Sequence, residues 1–238
     1  MDIKEFDALG GGIDSHWYYR SKAKAVMQLI GHENVSAVLD VGAGSGFFSK
    51  MLLAKSEAKK AWCVDTYYGS DSDFVEAGKT VHFRRYVDAV DVDLVLMMDV
   101  LEHVDDDVGL LKEYASKVPR GTVFLISVPA FQFLWSDHDV FLEHKRRYTL
   151  SQINSVAERA GLTVTHCSYY FGVILPVVAA VRVFNNVFRK GARPPKSQLK
   201  QHSVVVNGVL EFLSHAELAL MKLNGVAGLT AFCLAKSR

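Results

Sequence analysis

The sequence predicts an α/β domain, a parallel sheet with helices on both faces. Three observations carry this. Short apolar, β-branched runs alternate with amphipathic stretches of helical period over the first two-thirds of the chain, as strands buried on both faces require. The first run ends in a glycine cluster that opens into a helix, the place where open parallel sheets bind ligands. The length, 238 residues with 50% hydrophobic, suits one domain that buries roughly 70–75% of its unfolded surface without disulfides or metal.

The elements follow in order. Ser15 to Ile30 reads as a helix with Trp17, Ala23, Val26, Met27 and Ile30 on its apolar side. Val35 to Val41 is the first strand, and Phe47 to Lys55 the helix after the glycines. Ala61 to Asp65, Val81 to Tyr86 and Asp93 to Met98 are the second, third and fourth strands. Asp107 to Lys117 is a helix, with Asp105, Asp106 and Asp107 as capping and dipole-favourable acids at its start. Thr122 to Val128 is the fifth strand. Leu150 to Ala160 is a helix that Gly161 can terminate, Leu162 to Tyr170 the sixth strand, and Leu229 to Ala235 the last.

Charge and cysteine content narrow the class. With 27 basic and 26 acidic side chains the net charge is +1, which excludes a broadly basic nucleic-acid binder. Cys63, Cys167 and Cys233 lie far apart with no CxxC spacing and read as small buried hydrophobes of a reducing compartment. The opening MDIKEFDALGGG has no apolar signal-peptide core, so a cytoplasmic location is expected. The charge is uneven: no acid lies between Glu158 and Glu211, while that stretch holds Arg159, Arg182, Arg189, Lys190, Arg193, Lys196 and Lys200.

The glycine turn Gly42-Ala43-Gly44-Ser45-Gly46 decides the cofactor. A dinucleotide fingerprint from Gly42 needs glycine where Phe47 stands, and a GK[ST] ending is absent, so the turn lacks the geometry for a pyrophosphate or triphosphate. Asp65, ending the second strand, can accept both hydroxyls of a ribose. Asp40, just before the turn, can hold the loop or an ammonium group. An adenosine bearing an amino acid and no phosphate fits these partners.

LDVGAGSG, then VD ending the second strand, then MMDVLEHV ending the fourth, resembles the class I S-adenosylmethionine-dependent methyltransferases. The resemblance implies a Rossmann-like seven-stranded sheet whose last strand is antiparallel. It implies that Gly42, Ala43 and Gly44 line the methionine part of S-adenosylmethionine, with Asp65 on the ribose, Asp88 near the adenine, and Met98 and Asp99 beside the adenosine and methyl group. His16-Trp17-Tyr18-Tyr19-Arg20 before the first strand, and Trp135-Ser136-Asp137-His138-Asp139 with Glu143-His144-Lys145-Arg146-Arg147-Tyr148-Thr149 after the fifth, are similar to a bacterial branch of quinone-pathway and lipid- or glycan-associated O-methyltransferases. That likeness implies that Arg20 reaches the cofactor carboxylate, for which its planar fork is suited.

Residues 129–149 have two readings: a substrate-facing lid with His138 or His144 as general base, or a loop in which Asp137 and Asp139 pair with Arg146 or Arg147. Asp99, Glu102 and His103 could converge on a divalent ion, as the acid-x-x-Glu-His stretch of related quinone-pathway enzymes implies. The reading preferred here is metal-free, with Glu102 and His103 orienting the loop.

Residues 171–224 form a helical insertion before the last strand, within a single domain spanning 1–238. Gly172 to Phe188 is apolar with one polar stripe at Arg182, Asn185, Asn186 and Arg189, and Val204 to Leu223 is a second amphipathic helix. The run is too short to span a bilayer. A membrane-interface contact through 173–200 at the inner leaflet, a lid over an apolar pocket, and a homodimer helix all fit. The expected activity is methyl transfer to a hydroxyl of a lipid-like, aromatic or glycan small molecule, leaving S-adenosylhomocysteine. A non-catalytic cofactor-binding or scaffold protein of the same fold is the alternative. Nucleic acid is not an expected partner, because the fourth strand leads into Asp99-Val100-Leu101-Glu102, not [DN]PP[YF].

Overall fold

The structure is a computed structural model and describes residues 12–31, 33–76, 78–188 and 201–238. The helices are α1 (Trp17–Ile30), α2 (Phe47–Lys55), α3 (Asp107–Ser116), α4 (Asp137–Phe141), α5 (Leu150–Arg159), α6 (Leu175–Phe188) and α7 (Val204–Leu218). The strands are β1 (Ala37–Val41), β2 (Lys60–Val64), β3 (Ser72–Glu76), β4 (Lys79–Arg84), β5 (Leu94–Met98), β6 (Val123–Pro129), β7 (Leu162–Tyr170) and β8 (Thr230–Ser237).

They form one sheet in the order β3-β4-β2-β1-β5-β6-β8-β7. Strands β4, β2, β1, β5 and β6 are parallel, and β8 runs antiparallel between β6 and β7. All seven expected strands are present, with the expected antiparallel last strand. An eighth, β3, was not expected; it pairs antiparallel with β4 at the sheet edge. Its sequence, Ser72-Asp73-Phe74-Val75-Glu76, is exposed at four of five positions, so no buried face patterned it.

Strand side chains alternate between two cores, as a period of two requires. Val38, Leu94, Leu96 and Met98 face α1 and α2 with Tyr19, Val26, Leu29, Phe48 and Leu52. Leu39, Val41, Val95 and Met97 face α3 and α5 with Leu111, Ile153 and Val156. Helix α1 begins at His16, whose Nδ1 accepts from Tyr18 N at 3.3 Å, and stops at Gly31, whose φ of 60° lets its N–H donate to Met27 O. Asp106 caps α3 by accepting from Gly109 N at 2.8 Å, as the acidic run predicted.

The insertion lies over the α1 side. Asn207 on α7 clasps the start of α1, accepting from Trp17 N at 2.8 Å and donating to Ser15 O at 2.9 Å. Glu217 accepts from the backbone of Gly172 and Val173 at the entry to α6. The basic tail expected at 189–200 lies outside the described residues. No helix among the described residues is long and apolar enough to cross a membrane.

Candidate active site

The glycine turn leaves β1 as expected. Gly42, Gly44 and Gly46 have φ of 66°, 54° and 71°, a left-handed backbone that side chains other than glycine rarely adopt. Gly42 N and Ala43 N both donate to Val64 O, at 2.7 and 3.2 Å, which pins the turn across the tip of β2. A Cβ on Gly42 would stand 2.7 Å from Val100 Cγ2, so the turn lies directly against the segment that follows β5.

Asp65, past the end of β2, faces the turn. Its carboxylate accepts from Gly44 N and from Tyr67 N, each at 3.0 Å. Four lone-pair sites on a carboxylate leave capacity for ribose hydroxyls. Tyr68 Oη donates to Gly44 O at 2.6 Å. Asp40 is buried and accepts from Ser49 Oγ of α2 at 2.9 Å, so it holds the turn to the helix. Burial pushes its carboxyl up to about 6.

Asp99 follows β5 with a φ of 56°, strained for a residue with a Cβ and a pointer to function. It forms a close ion pair with Lys22 of α1 and accepts from Ser127 Oγ at 3.2 Å. Lys22 is fully buried at the side chain. Burial works against its ammonium, but Asp99, then Tyr18, outweigh that and hold it above its usual value. The same pair holds Asp99 below the carboxylate range, although burial opposes it.

Asp99 is also part of the floor of a cavity of about 340 Å³. The polar wall is Asp99, Glu102, His103, His138, His144 and Arg147, and the apolar wall is Trp17, Leu142, Ile174, Val177, Val178 and Leu210. Thus the loop after β5 touches the glycine turn through Val100 and the cavity through Asp99. Trp17 Nε1 is buried without a hydrogen-bond partner among the described residues.

A buried network shapes the polar wall. Asp139 on α4 is fully buried at the side chain and accepts from Arg147 Nε at 2.7 Å and Nη2 at 3.0 Å. It also meets His144 Nδ1 at 3.0 Å and accepts from Ser136 N at 2.9 Å. Burial would raise its carboxyl, but the His144 hydrogen bond and the Arg147 charge hold it well below the carboxylate range. His144 is raised by Asp139 and Glu102 against the opposing effect of burial. Arg146 turns to Asp107 at 3.3 Å, and Tyr148 Oη donates to Asp107 at 2.9 Å, so residues 137–149 are stitched to the start of α3. Of the pairings the sequence offered, Arg147 with Asp139 is the one formed. The loop is therefore both ion-paired and cavity-facing.

Of the expected catalytic residues, His138, His144 and Asp99 all line the cavity. Among the expected cofactor residues, Asp40, Gly42, Ala43, Gly44 and Asp65 are gathered at the turn. Three others stand elsewhere. Arg20, expected on the cofactor carboxylate, instead pairs with Glu211 of α7 at 3.1 Å and is half-exposed. Residues two apart on a helix point about 200° from each other, so Lys22 faces inward where Arg20 does not. Met98 is packed inside the α1–α2 core with a residue exposure of 1%. Asp88 is exposed in the loop after β4. Lys22 was not singled out for the site, since a lysine on an amphipathic helix signals solvent, not burial.

Residues 15–167 match the family described as "Methyltransferase domain". No curated protein matches the sequence. Among solved structures, the complex of the Haloferax volcanii Trm112 methyltransferase activator with a methyltransferase aligns at 16% identity and a TM-score of 0.57, over 99% of this chain and 97% of that one. A S-adenosylmethionine-dependent methyltransferase from Thermotoga maritima aligns at 15% identity and 0.56, over 99% and 96%. Phosphoethanolamine N-methyltransferase 2 of Haemonchus contortus, in complex with S-adenosylmethionine, aligns at 13% and 0.54, over 100% of this chain and 60% of that one. At these identities the likeness is one of fold. The family match covers most of the chain and the sheet has the matching topology, so the chain belongs to the class I S-adenosylmethionine-dependent methyltransferases.

Proposed function

We propose that the chain transfers a methyl group from S-adenosylmethionine to a hydroxyl oxygen of a lipid-like or aromatic acceptor held in the cavity, at an anionic membrane surface. The observation that carries the acceptor site is the cavity itself: an apolar wall to which α6 and α7 contribute, a polar wall with His103, His138 and His144, and a floor next to the glycine turn.

The residues present fit the cofactor. Gly42, Gly44 and Gly46 give the turn its left-handed backbone, Asp65 supplies the acceptor for the ribose, and Asp88, exposed in the loop after β4, is the acid assigned to the adenine end. S-adenosylmethionine supplies an already activated methyl sulfonium, so the protein's work is alignment and proton handling. The Lys22–Asp99 pair fixes the floor, and Trp17 Nε1 offers a donor to the acceptor's oxygen. His138 or His144 takes the hydroxyl proton as the oxygen–methyl bond forms and the sulfur–methyl bond breaks. The apolar wall excludes water, and S-adenosylhomocysteine is the other product.

The membrane part rests on exposed apolar side chains. Val177, Phe184, Val205 and Phe212 on α6 and α7 are 67%, 60%, 76% and 71% exposed. The sequence around them holds seven bases and no acid between Glu158 and Glu211. Each base near an anionic leaflet adds about 1 kcal/mol.

The test is incubation with tritiated methyl donor and a bacterial lipid extract. Label in an organic-soluble, alkali-stable ether supports the reading; cofactor binding with no labelled lipid or phenol overturns it. Co-sedimentation with phosphatidylglycerol vesicles, lost in Arg189→Glu with Lys190→Glu, supports the membrane part. Binding that is absent in the parent chain contradicts it.

A further inference from the structure

We propose that Cys167 and Cys233 form a redox-active dithiol, a modification site at which a small-molecule disulfide of the glutathione class is reduced and the two cysteines become bridged. The site requires nothing of the function proposed above.

The first observation is register. Cys167 of β7 stands directly opposite Cys233 of β8 in an antiparallel ladder. Opposed residues project to the same face of a sheet, and both side chains belong to the core against α3 and α5. The pair is of the close kind. Tyr169 N donates to Asn224 O, away from β8, whereas Tyr170 O accepts from Leu229 N. Backbone groups alternate in direction along a strand, so Cys167, two places before Tyr169, also turns its N–H and C=O away from β8. Opposed residues of this non-hydrogen-bonded kind bring their Cα atoms to about 4.5 Å. A disulfide takes Cα atoms roughly 4.4–6.8 Å apart, so the backbone need not move to form one.

The second observation is an asymmetry between the two sulfurs. Cys233 is fully buried, while Cys167 is partly exposed on β7, an edge strand of the sheet. Cys233 S–H donates to Cys167 Sγ, and that contact holds the Cys167 thiol below its ordinary value, although burial and Glu158 oppose it. The same contact, together with burial, pushes the Cys233 thiol far up. The thiolate is the attacking form of cysteine. The sulfur that solvent reaches is therefore the one poised to attack, and the sulfur behind it is placed to resolve. Cys63 lies in the opposite core, where burial pushes its thiol up to about 12.

The chemistry balances in two exchanges. The Cys167 thiolate attacks one sulfur of the small disulfide, whose S–S bond breaks as the mixed disulfide forms and one thiolate leaves. Cys233 yields its proton to that thiolate and attacks Cys167 Sγ, forming the Cys167–Cys233 bond and expelling the second thiol. Two protein thiols and one small disulfide become one protein disulfide and two small thiols, and two electrons pass from the protein to the small molecule. The bridge fastens edge strand β7 to β8 beside the register shift between Val164 and His166.

The test incubates the reduced full chain with oxidised glutathione, without oxygen. The sample is quenched with iodoacetamide in denaturant and read by intact mass and peptide mapping. Two of the three thiols should be lost, with Cys167 joined to Cys233 and Cys63 alkylated, and dithiothreitol should restore all three. Cys233→Ala should stop at a glutathione adduct on Cys167, formed several-fold more slowly because the hydrogen-bond donor is gone. Cys167→Ala should leave Cys233 unreacted. Thermal melting shows that each variant is folded; where one is not, the parent chain decides alone. A parent chain that keeps three thiols, stops at the glutathione adduct, or bridges through Cys63 overturns the proposal.

Discussion

Gly42→Ala is the sharpest perturbation of the turn. Two effects add. Alanine at a φ of 66° is disfavoured by about 1–2 kcal/mol. Its Cβ would also stand 2.7 Å from Val100 Cγ2, so Val100 or the turn must shift by several tenths of an ångström. Overpacking of this kind costs typically ~1–3 kcal/mol. The sum is about 2–5 kcal/mol, which for a chain of this size lowers Tm by roughly 4–20 °C. Because Gly42 N and Ala43 N anchor the turn to Val64 O, any shift also moves the nucleoside site, and S-adenosylhomocysteine affinity should fall more than tenfold. Val100→Ala in the same chain removes the clash but not the φ penalty, so a double-mutant cycle should show favourable coupling of about 1 kcal/mol or more. The assays are thermal melting and calorimetric titration. A Gly42→Ala chain with parental Tm and parental affinity would refute the reasoning.

Other outcomes follow from the same contacts. Arg147→Ala strips the bidentate partner from Asp139, fully buried at its side chain, and should cost about 3–5 kcal/mol in urea unfolding. An effect below about 1 kcal/mol would mean that His144 and Ser136 suffice. Asp40 has a folded value of about 6 against an unfolded one near ~3.9, so the folded state holds that proton longer. Its contribution to stability therefore falls as pH rises from about 4 to about 6 and is level above. Asp40→Asn should be more stable than the parent at pH ~7.5 by ~2–3 kcal/mol and about equal at pH ~4; an equal gap at both would contradict the shift. Tyr68→Phe removes the hydroxyl that donates to Gly44 O and should cost about 1 kcal/mol, with a several-fold loss of nucleoside affinity by calorimetry.

How legible this was in the sequence depends on what each residue signals locally. Phe47–Lys55 and Leu162–Tyr170 were delimited as found, because an apolar pattern and a flanking glycine fix such elements. Strand β3 was missed because an edge strand needs no buried face; Phe74 and Val75 are 58% and 73% exposed. The glycine turn and Asp65 were legible because backbone conformation and strand ends are written in consecutive residues. Lys22 was not. A lysine on an amphipathic helix reads as solvated, and only the folded pair with Asp99 reveals otherwise. Arg20 was assigned inward by motif, yet α7 covers that face of α1 and supplies Glu211. The meeting of Glu102 and His103 with His144 depends on two loops whose proximity the sheet order sets, which no sequence spacing records.

The central claim is that Gly42, Gly44 and Asp65 hold the nucleoside. The direct measurement is a thermal-shift titration with S-adenosylhomocysteine, with NAD as control and Asp65→Ala as the paired variant. At about 100 times the dissociation constant, binding should add roughly 2.7 kcal/mol, a rise in Tm on the order of 5–10 °C. The account predicts that rise for the parent chain, none with NAD, and at least tenfold weaker binding for Asp65→Ala. A folded parent chain that shows no shift, or a variant that binds as the parent does, would contradict it.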